Sequence, residues 1–142
     1  MTTIAYDGKS LCVDSQVTSG NFVFGSTQKI FRLKDNRILA AAGAIGLIHS
    51  VVAWLNEEGD EPEIEDNEGF SGILLHPDGT VEEITNELRI WPACIPWSGG
   101  TGELIAMTAM KCGKTAREAV EIACELDLMT GGKIQEAVII QA

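Results

Sequence analysis

Cysteine is scarce in this chain and shows no pairing pattern. The four cysteines, Cys12, Cys94, Cys112 and Cys124, form no C-x-x-C pair, which excludes the zinc knuckle and the dithiol redox motif. Histidine is scarcer: His49 and His76 alone cannot build a histidine-rich metal site. No apolar run reaches the roughly 18–20 residues of a membrane-spanning helix. The opening Met-Thr-Thr-Ile-Ala-Tyr-Asp-Gly lacks the basic end and apolar stretch of a secretory signal. Basic residues are outnumbered 21 to 10, for a formal net charge of −11. Binding a nucleic acid duplex needs a basic face, and the scattered lysines and arginines make no membrane-binding patch. Neither nucleic acid nor membrane is therefore expected as a partner, and the protein is expected to be soluble and cytoplasmic.

What is present suits a globular protein. Of 142 residues, 45% are hydrophobic and 22% charged, enough apolar material for one domain over residues 1–142 with a real core. Cys112 and Cys124 sit among apolar neighbours in helical patterns and are expected to be buried thiols.

Residues 3–6 read as a strand, and Asp7-Gly8 as a two-residue hairpin turn. The return strand, 9–15, delivers Asp14 near its end. Residues 16–20 read as a turn and 21–24 as extended, with a break at Gly25-Ser26. Residues 29–33 alternate charged and apolar side chains, as a half-buried strand does, and 38–42 read as a fully covered strand ended by Gly43. From 44 to 56 the period becomes helical, with Ile48, Val51, Val52 and Leu55 on one stripe. Eight acids then fall between 57 and 69. Such a run repels itself and stays solvated, and it lacks the spacing of a calcium loop. Residues 71–75 and 80–84 flank Pro77-Asp78-Gly79 as a further hairpin. Residues 91–97, with two prolines, predict irregular structure or a short edge strand. An apolar helix runs from Gly102 to about Lys111. Thr115-Ala116-Arg117-Glu118 matches a capping box and opens a second helix to about Met129. Residues 133–141 read as the last strand. Hairpins, a helix, more hairpins, two consecutive helices and a strand predict an α+β architecture of antiparallel sheets with helices outside.

Two stretches could carry chemistry. Ser98-Gly99-Gly100-Thr101-Gly102 precedes a helix and could hold an anion or nucleotide on free N–H groups. It lacks the G-K-[ST] ending and the G-x-G-x-x-G pattern, and close packing against a neighbouring strand is the better explanation of its glycines. The second stretch is the start. Thr2 is small enough to permit removal of Met1, which would leave a threonine with a free α-amine. That amine has an ordinary pKa of about 7.7–8.0 and could take the proton of its own hydroxyl, a recognised activation of a weak nucleophile.

The succession of motifs resembles one family. Thr2-Thr3-Ile4, then Asp14-Ser15-Gln16-Val17-Thr18-Ser19-Gly20, Gln28-Lys29-Ile30, Leu39-Ala40-Ala41-Ala42-Gly43, Ser98-Gly99-Gly100 and Asp127-Leu128-Met129-Thr130-Gly131-Gly132 are similar, in order and spacing, to proteasome β-type peptidases. The resemblance is to bacterial HslV and related short phage-type members above all, and it covers nearly the whole chain. It implies a four-layer αββα sandwich of the N-terminal-nucleophile hydrolase type and a threonine-type endopeptidase. Thr2 would be the nucleophile, Lys29 a cation beside its hydroxyl, and Asp14 the partner that holds Lys29. The N–H of Gly43 would face the oxyanion. Ser98, Asp127 and Thr130 would orient the terminal amine. The same resemblance implies no required cofactor, and a structural monovalent or divalent cation on the carbonyls at Cys124, Asp127 and Thr130. It further implies peptide or unfolded protein as substrate, a homo-oligomeric ring and an ATP-dependent unfoldase partner.

The sequence departs from the family in being short and in carrying its acidic stretch where the family continues its first helix pair. If Met1 is retained, the amine of Thr2 is locked in a peptide bond. The chain would then be a catalytically silent scaffold subunit.

Overall fold

The computed structural model describes residues 2–65 and 69–139. Met1, the last acids of the acidic stretch and the end of the expected last strand beyond 139 lie outside them. The chain runs β1(Thr3–Tyr6), β2(Leu11–Val13), β3(Gln16–Ser19), β4(Phe22–Ser26), β5(Ile30–Arg32), β6(Ile38–Gly43), α1(Ile45–Leu55), β7(Phe70–Leu75), β8(Val81–Ile84), β9(Ile90–Pro92), β10(Trp97–Gly100), α2(Glu103–Lys111), α3(Ala116–Leu126) and β11(Gln135–Ala137). This is an α+β fold. One antiparallel sheet has the order β10-β1-β2-β11 and another β5-β6-β7-β8-β9, while among the described residues β3 and β4 pair only with each other.

The period of two along each strand explains the packing. Ile4, Tyr6, Leu11, Val13 and Trp97 of the first sheet meet Ile38, Ala40, Ala42, Ile73 and Leu75 of the second in one core. The alternate residues face away from that core. Ala5 and Cys12 pack under α2 and α3, against Ala106, Ala119 and Val120. Leu39, Ala41 and Leu74 pack under α1, against Leu47, Ile48 and Val51. β1 and β6 are thus covered on both faces, which is why residues 38–42 read as an unbroken apolar run. Each fully buried Leu or Ile contributes about 1.5–3 kcal/mol.

Several local expectations need correction. Residues 16–19 are not a turn: they form β3, with the turn beginning at Gly20, and Gly25-Ser26 continues β4 instead of breaking it. The Asp7 loop is wider than two residues, because Tyr6 pairs with Leu11. Asp7 closes it by accepting the N–H groups of Lys9 (2.8 Å) and Ser10 (2.9 Å) and, across the fold, that of Ala116 (2.8 Å). The capping box of α3 forms as expected, with Thr115 and Glu118 bonding each other's backbone N–H. The helix stops at Leu126, short of the expected Met129. Cys112 follows the last residue of α2 and is exposed, and Cys124 is only half-buried. The described part of the acidic stretch forms no helix, and its Glu58 pairs with Lys34. Among the described residues no helix is long and apolar enough to cross a membrane.

Asp7 ties the β1–β2 loop to the start of α3. Burial raises its pKa, but the backbone N–H bonds outweigh that and hold it below the ordinary carboxylate value. Its folded-state pKa is depressed, so its stabilising effect is complete above the unfolded value and is lost as pH falls through the folded one. Asp7→Asn should therefore be less stable than wild type by about 1–2 kcal/mol near neutral pH. In urea unfolding, the gap should close as the medium is acidified through that lowered value.

Candidate active site

The site forms where the first sheet's β1 leaves Thr2, and where β2 leaves Asp14, beside the segment leading into β5. Thr2, Asp14 and Lys29 are all buried. The Lys29 ammonium donates to Thr2 Oγ1 (2.9 Å), Asp14 Oδ1 (3.0 Å) and the Gln16 carbonyl (2.7 Å). Three protons meet three acceptors, and Thr2 Oγ1 is thereby an acceptor of a charged donor. Asp14 also accepts the N–H of Thr3 on Oδ1 (3.0 Å) and the N–H of Gly131 on Oδ2 (3.0 Å). The ion pair has a side-chain exposure of 5% for Lys29 and 0% for Asp14. Burial lowers the lysine pKa, and the Asp14 charge and hydrogen bond pull it part of the way back.

A second chain of bonds runs behind Thr2. Thr130 Oγ1 donates to Asp127 Oδ2 (2.6 Å), so the contact between Thr3 Oγ1 and Thr130 Oγ1 (2.7 Å) must be donated by Thr3, since each hydroxyl has one proton. Thr101 Oγ1 donates to the same Asp127 oxygen (2.6 Å) and lies 3.3 Å from the Thr2 carbonyl. Burial raises the Asp127 pKa, but the Thr101 and Thr130 bonds and the N–H of Met129 outweigh it, leaving the carboxyl below its ordinary value.

The glycines of the 98–102 run serve close packing. Ser98, Gly99 and Gly100 belong to β10 and pair with Ala5, Ile4 and Thr3. A Cβ on Gly100 would strike the Thr2 carbonyl, and one on Gly102 the Thr3 hydroxyl. Close packing, not anion binding, accounts for the run. Ser98 gives its proton to the Glu103 carbonyl (2.8 Å), so it can serve the chain start only as an acceptor. Gly43 has φ +152°, and a Cβ there would meet the Gly69 carbonyl at 2.8 Å. The next residue, Ala44, puts no side-chain cap on α1.

Thr2, Lys29 and Gly43 line a cleft of about 400 Å³, whose apolar wall includes Phe31, Ile45 and Ile48. His49 lines it too, edge-on to Phe31 with ring centroids 5.9 Å apart. Of the expected site residues, the fold gathers Thr2, Asp14 and Lys29 by direct bonds, brings Gly43 to the same cleft, and links Asp127 and Thr130 to Thr2 through Thr3 and Thr101. For a cation, Cys124 would have to offer its carbonyl. Burial, then the charge of Asp14, pushes its thiol pKa up, so the sulfur stays protonated. Hard cations take oxygen ligands, and the Asp127 carbonyl already accepts the Thr130 N–H. Among the described residues no three His, Cys, Asp or Glu side chains cluster for a metal.

Two residues escaped sequence reasoning: Thr101, and Gln135 on β11. The Gln135 amide accepts the N–H groups of Lys29 (2.9 Å) and Ile30 (3.3 Å) and donates to the Thr27 carbonyl (2.8 Å). It stands in for a neighbouring strand and holds the backbone that carries Lys29.

No protein-family model matches the sequence, and no curated protein does so. Solved structures do match. BPH of Thiobacillus denitrificans in complex with epoxomicin is similar over 99% of this chain and 98% of that one, at 17% identity and a TM-score of 0.76. A second structure of BPH from the same organism also matches, at 16% identity and a TM-score of 0.74 over the same shares. A eukaryotic HslV from Trypanosoma brucei is similar over 97% of this chain and 98% of that one, at 20% identity and a TM-score of 0.71. The chain has the fold of these HslV and BPH structures, and it spans their length.

Removing the Gln135 amide should loosen Lys29 locally. Gln135→Ala leaves two N–H groups and a carbonyl without their partner, at a cost of about 1–3 kcal/mol. Hydrogen exchange should speed up at the Lys29 and Ile30 amides and stay unchanged in α3.

Proposed function

We propose that the chain is a threonine-type endopeptidase subunit that uses Thr2 as nucleophile once Met1 has been removed. The observation that carries this reading is the buried Lys29 ammonium bonded to both Thr2 Oγ1 and Asp14. The full-length likeness to HslV and to a protein solved with epoxomicin supports it at the level of fold. We also take the two face-to-face sheets and their outer helices to be the four-layer αββα sandwich of the N-terminal-nucleophile hydrolases.

In this reading the Thr2 hydroxyl passes its proton to the free α-amine of the same residue, directly or through one water. The oxygen attacks the substrate carbonyl carbon. Lys29 favours the ionised oxygen, since a nearby opposite charge lowers a pKa. The Gly43 N–H would stabilise the developing oxyanion; such donors are typically worth about 10²–10³ in rate. The C–N bond breaks, the amine returns its proton to the leaving group, and an ester on Thr2 remains. Water then hydrolyses the ester with the same amine as base. Ser98, Asp127 and Thr130 would keep that amine oriented, Asp127 with the help of Thr101. The apolar wall of the cleft favours an apolar side chain beside the cleaved bond.

No cofactor takes part. A structural monovalent or divalent cation would sit on the carbonyl oxygens at Cys124, Asp127 and Thr130, away from the reacting bond. The substrate is a peptide or an unfolded protein. The subunit works in a homo-oligomeric ring in the cytoplasm, fed by an ATP-dependent unfoldase, without nucleic acid or membrane.

Thr2→Ala should abolish cleavage of fluorogenic peptides with assembly unchanged, whereas Thr2→Ser should keep measurable turnover. Intact mass should show the loss of one methionine. Retention of Met1 in protein that still cleaves, or full activity of Thr2→Ala, would overturn the reading. The pH profile follows from the same groups. Activity should rise through about pH 7.7–8.0 as the amine becomes a base, and fall on the alkaline side as Lys29 loses its proton. Because burial lowers the lysine pKa, that fall should begin below the ordinary lysine value of about 10.4.

A further inference from the structure

The first strand joins two cavities. Before its start, Thr2 opens onto the active-site cleft. At its end, about 13 Å further along an extended chain, Tyr6 lines a second cavity of about 430 Å³. That cavity lies between the β1–β2 loop, the β7–β8 turn and the residues after β11, and its size suits a small molecule. Leu75, Val81, Val138 and Ile139 give it apolar walls. Two polar groups in it lack partners of their own. Tyr6 is only 9% exposed, yet among the described residues its hydroxyl makes no hydrogen bond. Burial, then the Asp7 charge, raises its pKa, so the phenol keeps its proton and wants an acceptor; buried polar groups are rarely left without one. Among the described residues the Lys9 ammonium forms no ion pair, because Asp7 beside it is taken up by backbone N–H groups. The other polar side chains of the wall are committed. His76 Nε2 lies 2.5 Å from Glu82 Oε1, and the Thr80 hydroxyl bonds the Asp78 carboxylate.

We propose that this second cavity binds a small amphipathic monocarboxylate, its carboxylate held by Lys9 and the Tyr6 hydroxyl and its apolar stem laid against Leu75, Val138 and Ile139. Each feature of the ligand answers a feature of the wall. An ammonium and a phenol are both donors, and donors bind a charged acceptor more strongly than a neutral one. A neutral apolar molecule would fill the walls and leave both donors unmatched. The charge is bounded from the other side as well. Asp7 adjoins Tyr6, Asp78 sits in the turn at the rim, and Glu82 is bonded to His76. Three carboxylates around one ammonium repel a dianion such as phosphate more than a monoanion. The site is separate from the Thr2 cleft and stands independently of the peptidase reading.

Tyr6 is the only tyrosine of the chain, so tyrosine labelled with ¹³C at Cζ gives a single resonance that reports on this cavity. Titrating the full chain with hexanoate near neutral pH should move that resonance saturably. Hexanol carries the same stem without the charge, and inorganic phosphate carries charge without the stem. Each should bind at least about ten-fold more weakly than hexanoate, the scale of one hydrogen bond to a charged group. Lys9 is exposed, so Lys9→Gln removes the cation without disturbing the core. It should weaken hexanoate by about ten-fold with an unchanged far-ultraviolet circular dichroism spectrum. A resonance that hexanoate does not move overturns the proposal. So does hexanol or phosphate binding as tightly as hexanoate, or a folded Lys9→Gln variant that binds hexanoate as wild type does.

Discussion

A charged pair buried in the heart of the fold governs the rest of the structure. Taking an ammonium and a carboxylate out of water costs several kcal/mol per ion after relaxation, and attraction offsets this only where the remaining donors and acceptors are also matched. Lys29 and Asp14 meet that condition. The ammonium has three acceptors, and the carboxylate also has two backbone N–H groups. The pair and its partners come from the chain start, the 14–16 segment, the residue before β5 and the turn after α3. Four distant stretches must therefore be in register before the pair can be buried. The ion pair is a condition on the tertiary structure as much as a feature of one site.

Two layers of support surround it. Gln135 holds the Lys29 backbone from the β11 side. The bonds running from Thr3 through Thr130 to Asp127, joined there by Thr101, hold the first strand from the helical side. Each hydroxyl proton has a fixed direction, so the network converges on one carboxylate oxygen. A side chain whose neighbours are all committed has few alternative rotamers, and that is the physical meaning of a preorganised site. The cleft differs on its far side. There the wall is apolar, and part of it belongs to a hairpin with few tertiary ties.

Much of this was legible in the sequence, for identifiable reasons. β1, β6 and α1 declared themselves because burial on one or both faces leaves a period that reading can detect. The capping box at Thr115 is local, and its two bonds form as the spacing requires. β3 was missed because Gln16, Val17, Thr18 and Ser19 have neither alternation nor bulk: the strand pairs with β4 and packs against no core. Cys112 follows a helical apolar pattern but lies just past the last turn of α2, where the face turns to solvent. Thr2 stood out by its own chemistry at the start of the chain, whereas Asp14 and Lys29 came only from a resemblance spread over it. Thr101 sat in a run read only for its glycines, and Gln135 had no signal at all. A glutamine that completes a strand edge more than a hundred residues away leaves no spacing to read. The Ser98 to Gly102 run was visible, but its two explanations differ only in what lies opposite, which the fold alone supplies.

That run has an evolutionary corollary. At Gly100 and Gly102 the space a methyl group would need is already filled by the backbone or side chain of the first strand, and Gly100 also has φ +93°. Drift at these positions has almost no neutral steps. The acidic stretch beyond α1, solvated and lacking helix or strand in its described part, accepts change almost freely. Lineages of this chain should diverge fastest there, and the glycine strand should serve as the alignment marker that outlasts the loss of overall identity.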